Sequence, residues 1–269
     1  MVRLCIIAPT PHLEEFATLS NDVHLVLSHL INISEAEKEG SYTNFYRTRA
    51  EQGDTLILDN GLFENHVAED TVSLCEKASA IKAKVIVAPD VLYDSKATIK
   101  SYDAFRSKVV YKVMAVPQAD NPVDWLDCYK QLVHICEAEI IGLSILSIPK
   151  SFGPLLRTNS ISACRRYVIR LLEAEDLVRD NIWHHCLGLG DDVSELSLMN
   201  STGWIYSNDS SSAVVHGAKE IVYDPDGTIP GGKIREKLDF NKTIEESQHK
   251  HIYHNIAMLQ NFASKECQY

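Results

Sequence analysis

The chain has 269 residues, with 26 Lys and Arg against 37 Asp and Glu, giving a formal charge of −11. Its 45% hydrophobic and 23% charged content excludes a disordered or fibrous polymer, and a chain this long buries a core without disulfides or metal. The acid excess argues against a protein that wraps nucleic acid with a generally basic surface.

Short apolar runs alternate with longer amphipathic stretches. Strands are expected at Leu4–Ala8 and Val23–Leu27, then a helix at Tyr42–Glu51. Strand Thr55–Leu58 precedes helix Ala68–Ile81, and strand Val85–Ala88 precedes helix Ser95–Arg106. Strand Lys112–Val116 leads to helix Pro122–Cys136, where Asn121 at the cap and Pro122 at the first position form a start signal. Strand Glu139–Leu143 precedes helix Ser160–Asp176. Strand Trp183–Leu187 precedes helix Asp192–Met199, with Asp191-Asp192 read as its start. An eighth strand spans Trp204–Ser207, residues 221 to 239 read as loop and turns, and a last helix is expected at Thr243–Ala263.

Strands that alternate with helices pair in parallel through right-handed crossovers. Eight of them close a (β/α)8 barrel of about 250 residues. The fold expected is therefore an α/β TIM barrel, one domain over residues 1–269, with a C-terminal loop and helix packed on it. A doubly wound open sheet is the alternative. No run approaches about 18 apolar residues, so no membrane span is expected, and the opening apolar run is too short for a signal peptide. The seven cysteines are scattered, without Cys-x-x-Cys or Cys-x-Cys, which reads as a reduced, cytoplasmic protein without a compact zinc site.

In such a barrel the C-terminal strand ends build the active site. Strand three runs into Asp59-Asn60-Gly61-Leu62-Phe63-Glu64 and strand four into Pro89-Asp90. Strand five runs into Pro117-Gln118, strand six into Ser144, strand seven into Gly188-Leu189-Gly190, and strand eight into Asn208-Asp209-Ser210. A single Asp after a strand is often only a helix cap. Asp59, Asp90 and Asp209 together with Gln118 point instead to a common mouth. The Gly188-Leu189-Gly190 turn reads either as a phosphate-binding turn or as a tight loop.

Several carboxylates and an amide, with no obvious Cys or His nucleophile, suit displacement at an anomeric carbon. One carboxylate attacks, a second group handles the leaving-group proton, and the rest read the leaving base. A purine-like base offers N–H donors to a buried Asp and a carbonyl to Gln.

These strand-end strings, in this order from Leu58-Asp59-Asn60-Gly61 to Asn208-Asp209-Ser210, resemble the tRNA-guanine transglycosylase superfamily. Within it they are most similar to the short, phage-type DNA 7-deazaguanine transglycosylases. The resemblance covers roughly residues 56 to 212. It implies exchange of guanine in a polynucleotide for a 7-deazaguanine base without cutting the backbone. Asp209 resembles the nucleophile that attacks C1′, and Asp59 the acid/base group serving the departing and incoming bases. Asp90 resembles the acceptor for the base's ring N–H and amine. Gln118 with the backbone of Gly142 and Leu143 resembles the contacts to its carbonyl and 7-substituent, and Gly188 and Gly190 fall in the family's seventh-strand turn. No cofactor and no metal are implied.

The chain departs from the family pattern in three places. Asp59-Asn60-Gly61-Leu62-Phe63 stands where the family has Asp-Ser-Gly-Gly-Phe, and Ala119-Asp120 follows Gln118 in place of glycine. The Cys-x-Cys-x-x-Cys…His zinc site of the tRNA enzymes has no counterpart, which favours DNA over tRNA as partner.

Other residues have plainer readings. His184 and His185 alternate faces on a strand and cannot both point inward. With His249, His251 and His254 they read as core or surface histidines, and Cys186 as strand core. Arg165, Arg166 and Arg170 read as a solvated helix face. Lys150 with Arg157 forms another basic pair, and Lys233, Arg235 and Lys237 are the expected contacts to a nucleic-acid backbone. Phe63 is a candidate to stack a flipped base, whereas Trp204 and Tyr206 read as strand core. The lead reading is a DNA base-exchange enzyme. The alternatives are a tRNA-modifying relative, a silent barrel that binds nucleic acid or a partner, and a sugar-phosphate enzyme with a phosphate cup at Gly188–Gly190 and Gly231-Gly232.

Overall fold

A computed structural model describes residues 1–234 and 239–265. Eight parallel strands form one sheet in the order β1-β8-β7-β6-β5-β4-β3-β2, a nearly closed (β/α)8 barrel. The chain runs β1 (Arg3–Ile6), α1 (Leu13–Phe16), β2 (Val23–Val26), α2 (Tyr42–Glu51), β3 (Thr55–Leu58), α3 (Leu62–Asn65) and α4 (Thr71–Ala80). It continues through β4 (Val85–Val87), α5 (Ser95–Arg106), β5 (Lys112–Ala115), α6 (Pro122–His134), β6 (Ile140–Ser144), α7 (Ser147–Leu156) and α8 (Ile161–Ala174). Then follow β7 (Trp183–Leu187), α9 (Glu195–Thr202), β8 (Ile205–Ser210), α10 (Ser212–Gly217) and α11 (Glu246–Ser264).

The helices start where their caps dictate. Ser41, Asp70, Asp94, Asn121 and Ser160 each accept a backbone N–H from the first turn that follows them. Asp191-Asp192 does not start a helix. Asp191 instead takes the Ser162 N–H and the Ser160 hydroxyl at the head of α8, and Asp192 pairs with Arg166, so α9 begins later, at Glu195. Helix α7, which the sequence pattern missed, carries Pro149, Gly153 and Pro154, a composition that reads as loop.

Between β1 and β2 side chains complete the closure. The Leu4 N–H donates to Asn21 Oδ1 and the Ile6 N–H to Ser20 Oγ, each at 2.8 Å, while the Asn21 N–H reaches the Leu4 carbonyl. These bonds satisfy backbone groups that an open seam would leave unpaired.

The eighth strand carries the local feature that matters most. His184 pairs with Ile205 but His185 pairs with Ser207, so Tyr206 is an extra residue on β8. Such a bulge re-aims the side chains after it. It brings Ser207 and Asp209 to the inner face beside His185. This strand also runs further than expected, to Ser210, so Asp209 lies within it, not beyond its end. Among the described residues no helix is long and apolar enough to cross a membrane.

Candidate active site

The C-terminal strand ends open into one cavity of about 1290 Å³. Its floor is apolar, made by Ile7, Leu25, Val87, Val116 and Leu187. Gly142 lies under this floor and does not line the cavity; a Cβ there would come within 2.8 Å of Leu187 Cδ1 and 3.1 Å of Val116 Cγ2. Its lack of a side chain leaves room for the floor residues. Leu143 is wholly buried, also away from the cavity, and its carbonyl accepts from Arg165.

Asp59, Asp90, Gln118, Asp209, Phe63 and Gly188 all line the cavity, as does Lys233. Asp90 is held from both sides. Asn60 Nδ2 donates to Oδ1 at 2.7 Å and Gln118 Nε2 donates to Oδ2 at 2.5 Å. Asn60 is itself fixed by the Ala88 carbonyl and the Leu62 N–H. Burial pushes the Asp90 carboxyl up to about 6, against the two amides that lower it. Asp59 receives the Gly61 N–H at 2.9 Å. Burial, reinforced by the nearby charges of Glu64, Asp209 and Asp90, pushes it up to about 8.

Asp209 is held differently. His185 Nε2 lies 3.0 Å from Oδ1, and the Gly188 N–H donates to the same oxygen at 2.9 Å. Gly188 takes a left-handed φ of 72°, which turns its N–H toward the carboxylate. The tautomer of His185 follows from its partners. A carboxylate only accepts, so Nε2 carries the proton; Nδ1 sits 2.7 Å from Ser207 Oγ. Trp183 Nε1 also donates to that hydroxyl at 3.0 Å, which leaves the Ser207 proton for His185 Nδ1. A chain of bonds thus runs Trp183, Ser207, His185, Asp209.

Two residues read as bland in the sequence belong to this frame. His185 alternates inward as expected of one of the pair, while His184 points out to Tyr129 at 2.9 Å, and burial lowers it to about 4. Arg165 is not on a solvated face. It is 1% exposed, pairs with Glu195 at 2.6 Å, and donates to the carbonyls of Leu143, Leu187 and Gly188. It fixes the turn whose Gly188 N–H reaches Asp209. Its signal was present, since α8 buries Val168, Ile169 and Leu172, but a charged residue at the edge of that face reads as solvated.

Gly190 does not line the cavity; its N–H goes to Glu195, and its Cβ position is filled by Ser162 and Glu195. The N–H groups of both glycines in the Gly188–Gly190 turn are thus engaged by side chains of the protein. Lys233 is half-buried and donates to the Leu189 carbonyl. Burial, with Arg165 adding to the effect, lowers its ammonium to about 8. Arg235 and Lys237 lie outside the described residues. Phe63 is 47% exposed at the mouth. Trp204 and Tyr206 pack against His184 and Trp183 on the barrel wall, and Cys186 is core, pushed up to about 12 by burial.

Among the described residues, the grouping of donor atoms close enough for one metal ion is His12, Glu15 and His249, away from the cavity. Its bonds argue for a hydrogen-bonded clasp. The Ile244 N–H donates to His12 Nε2 at 2.8 Å, so His12 Nδ1 carries the proton and donates to Glu15 instead of offering a lone pair. His254 goes to the Tyr223 carbonyl, so the three histidines of α11 do not converge.

The fold and the site define a (β/α)8 barrel with a carboxylate-lined mouth. No protein-family model and no curated protein matches the chain.

Proposed function

We propose that the protein is a base-exchange transglycosylase that replaces guanine in DNA by a 7-deazaguanine derivative through a covalent aspartyl-glycosyl intermediate. The observation that carries this reading is the division of labour among the carboxylates. Asp209 is oriented by two N–H donors on one oxygen, and Asp59 beside it holds a proton up to about pH 8. One is built as a nucleophile and the other as an acid.

Asp209 Oδ2 attacks C1′ and the C1′–N9 bond breaks, its electron pair leaving with guanine. Asp59 delivers the proton that neutralises the departing base. The incoming 7-deazaguanine base returns a proton to the Asp59 carboxylate, its nitrogen attacks C1′, and the Asp209–C1′ bond breaks to restore the carboxylate. Asp90 accepts from the N–H edge of each base and Gln118 keeps Asp90 aimed. No bond of the phosphodiester backbone changes.

The test is a denaturing gel. Labelled DNA incubated with the protein and a 7-deazaguanine base should give a protein–DNA adduct and release guanine, and Asp209→Ala should abolish both. Full guanine release by Asp209→Ala overturns the nucleophile assignment. A tRNA substrate in a parallel lane decides between the two polymers, and absence of adduct and release with both overturns the reading.

A further inference from the structure

The cavity carries both signs of charge. Asp59, Asp90 and Asp209 come from the strand ends, while Lys150 comes from α7 and Arg157 from its C-cap, on the wall beside the β4 and β5 loops. This arrangement matches a ligand with an N–H-rich base at one end and phosphate at the other. We propose that α7 is the rail for the substrate's backbone, with Lys150 and Arg157 holding phosphates near the target nucleotide and Tyr93 stacking an adjacent base. The proposal rests on the base-exchange reading for what lies in the cavity, but not for its own test.

Three observations support it. Several cations of this acidic chain are spent on carboxylates, among them Arg165 and Arg166 of α8, the helix that follows α7. Lys150 and Arg157 are not paired among the described residues, although both line the cavity. Seven residues apart, they stand about two helical turns from one another, roughly 10 Å along α7. A phosphate rail needs such a spacing and free charges.

The second observation is Tyr93. It holds a left-handed φ of 64°, which a bulky residue adopts only when its surroundings enforce it. Its N–H donates to Gln118 Oε1 at 3.3 Å, the same amide whose other end grips Asp90. The base pocket therefore sets the pose of this ring. The third is that the Lys150 ammonium sits 5.6 Å above that ring, which remains 37% exposed at the cavity wall. An exposed aromatic beside a free cation is the pairing that single-strand binders use, the ring for a base and the charge for the backbone.

This rail lies apart from the expected contact at Lys233. Lys233 is turned in to a backbone carbonyl, whereas Lys150 and Arg157 keep their charges for a ligand.

The experiment measures anisotropy of a labelled single-stranded DNA oligonucleotide against salt, with no incoming base and hence no exchange. Each phosphate contact adds about 0.7 to the slope of log affinity against log salt. Lys150→Gln with Arg157→Gln should flatten the slope by about 1.4, and Lys82→Gln should leave it unchanged. Tyr93→Asn, which tolerates the left-handed backbone, should weaken binding about fivefold or more at unchanged slope, and Tyr93→Phe should restore it. A same-length RNA run in parallel reports which sugar the rail accepts. A wild-type slope in the double variant overturns the rail, even where the Asp209 adduct still forms. A flattened slope in a protein that never forms the adduct keeps the rail and removes the base-exchange reading. Loss of binding in Tyr93→Phe as severe as in Tyr93→Asn overturns the stacking role.

Discussion

His185 and Asp209 face each other across β7 and β8, with Nε2 3.0 Å from Oδ1, because the extra residue at Tyr206 brings Ser207 and Asp209 onto the inner face. With Oδ1 held by His185 and Gly188, Oδ2 is the oxygen left to attack, and loss of that positioning slows attack about tenfold to a hundredfold. His185→Phe should therefore slow adduct formation by that factor in single-turnover experiments, while His184→Phe should affect stability instead. Because Ser207 sets the tautomer, Ser207→Ala should reproduce part of the His185 effect.

Asp59 gives the site its pH dependence. As the proton donor to departing guanine it acts in its protonated form, so adduct formation should fall above about pH 8, and the protonation of Asp90, which accepts from the base, should lower it again below about pH 6. Its carboxyl is raised on folding, so the folded chain holds a proton that the unfolded chain has released between about pH 4 and pH 8. Stability from this group is full at the low end of that window and lost as pH rises through about 8. Asp59→Asn should abolish adduct formation and also remove this decline, which thermal melts at pH 5 and pH 9 would reveal. A melt of Asp59→Asn with the same pH dependence as the parent would count against the assignment.

The fold was legible because its signal is periodic. Each expected strand overlaps an observed one, and Tyr42–Glu51 and Ser95–Arg106 match their helices residue for residue. The carboxylates of the site were legible because they follow strands, a position that parallel barrels send to one end. What stayed hidden depends on tertiary context. Arg165 looks solvated until its partner, Glu195, arrives from another helix. His185 looks like core until the β8 bulge places Asp209 beside it. Lys233 looks like a surface cation because sequence shows its charge and not the Leu189 carbonyl it reaches.

Gln118 links the base pocket to the mouth, since Nε2 donates to Asp90 and Oε1 accepts from the Tyr93 N–H. Gln118→Leu removes both bonds with little change of volume. It leaves the partly ionised Asp90 with one amide in place of two, and so should raise its pKa above about 6. The expected kinetic result is a KM for the incoming base higher by about tenfold or more, with a smaller change in kcat, because the lost interaction serves binding of the base in ground and transition states alike. A large fall in kcat at unchanged KM would place Gln118 in the chemical step instead.

The Arg165–Glu195 pair supports the site from beneath, and its removal should separate stability from chemistry. Both side chains are 1% exposed, and Arg165 also donates to three carbonyls at the ends of β6 and β7. Arg165→Met leaves the Glu195 charge buried without its partner, which costs about 3–5 kcal/mol. For a domain of this size that lowers Tm by roughly 10 °C. Replacing both residues, with Arg165→Met and Glu195→Leu, should recover most of the loss, because an apolar pair of similar volume needs no compensation for buried charge. Adduct formation should not recover with it. Without Arg165 the Gly188 carbonyl keeps only Asn208 Nδ2 of its two donors, and the carbonyls of Leu143 and Leu187 lose their contact to the guanidinium, so the N–H of Gly188 is aimed less firmly at Asp209. A double variant that regains both Tm and the single-turnover rate would show that the pair serves folding alone.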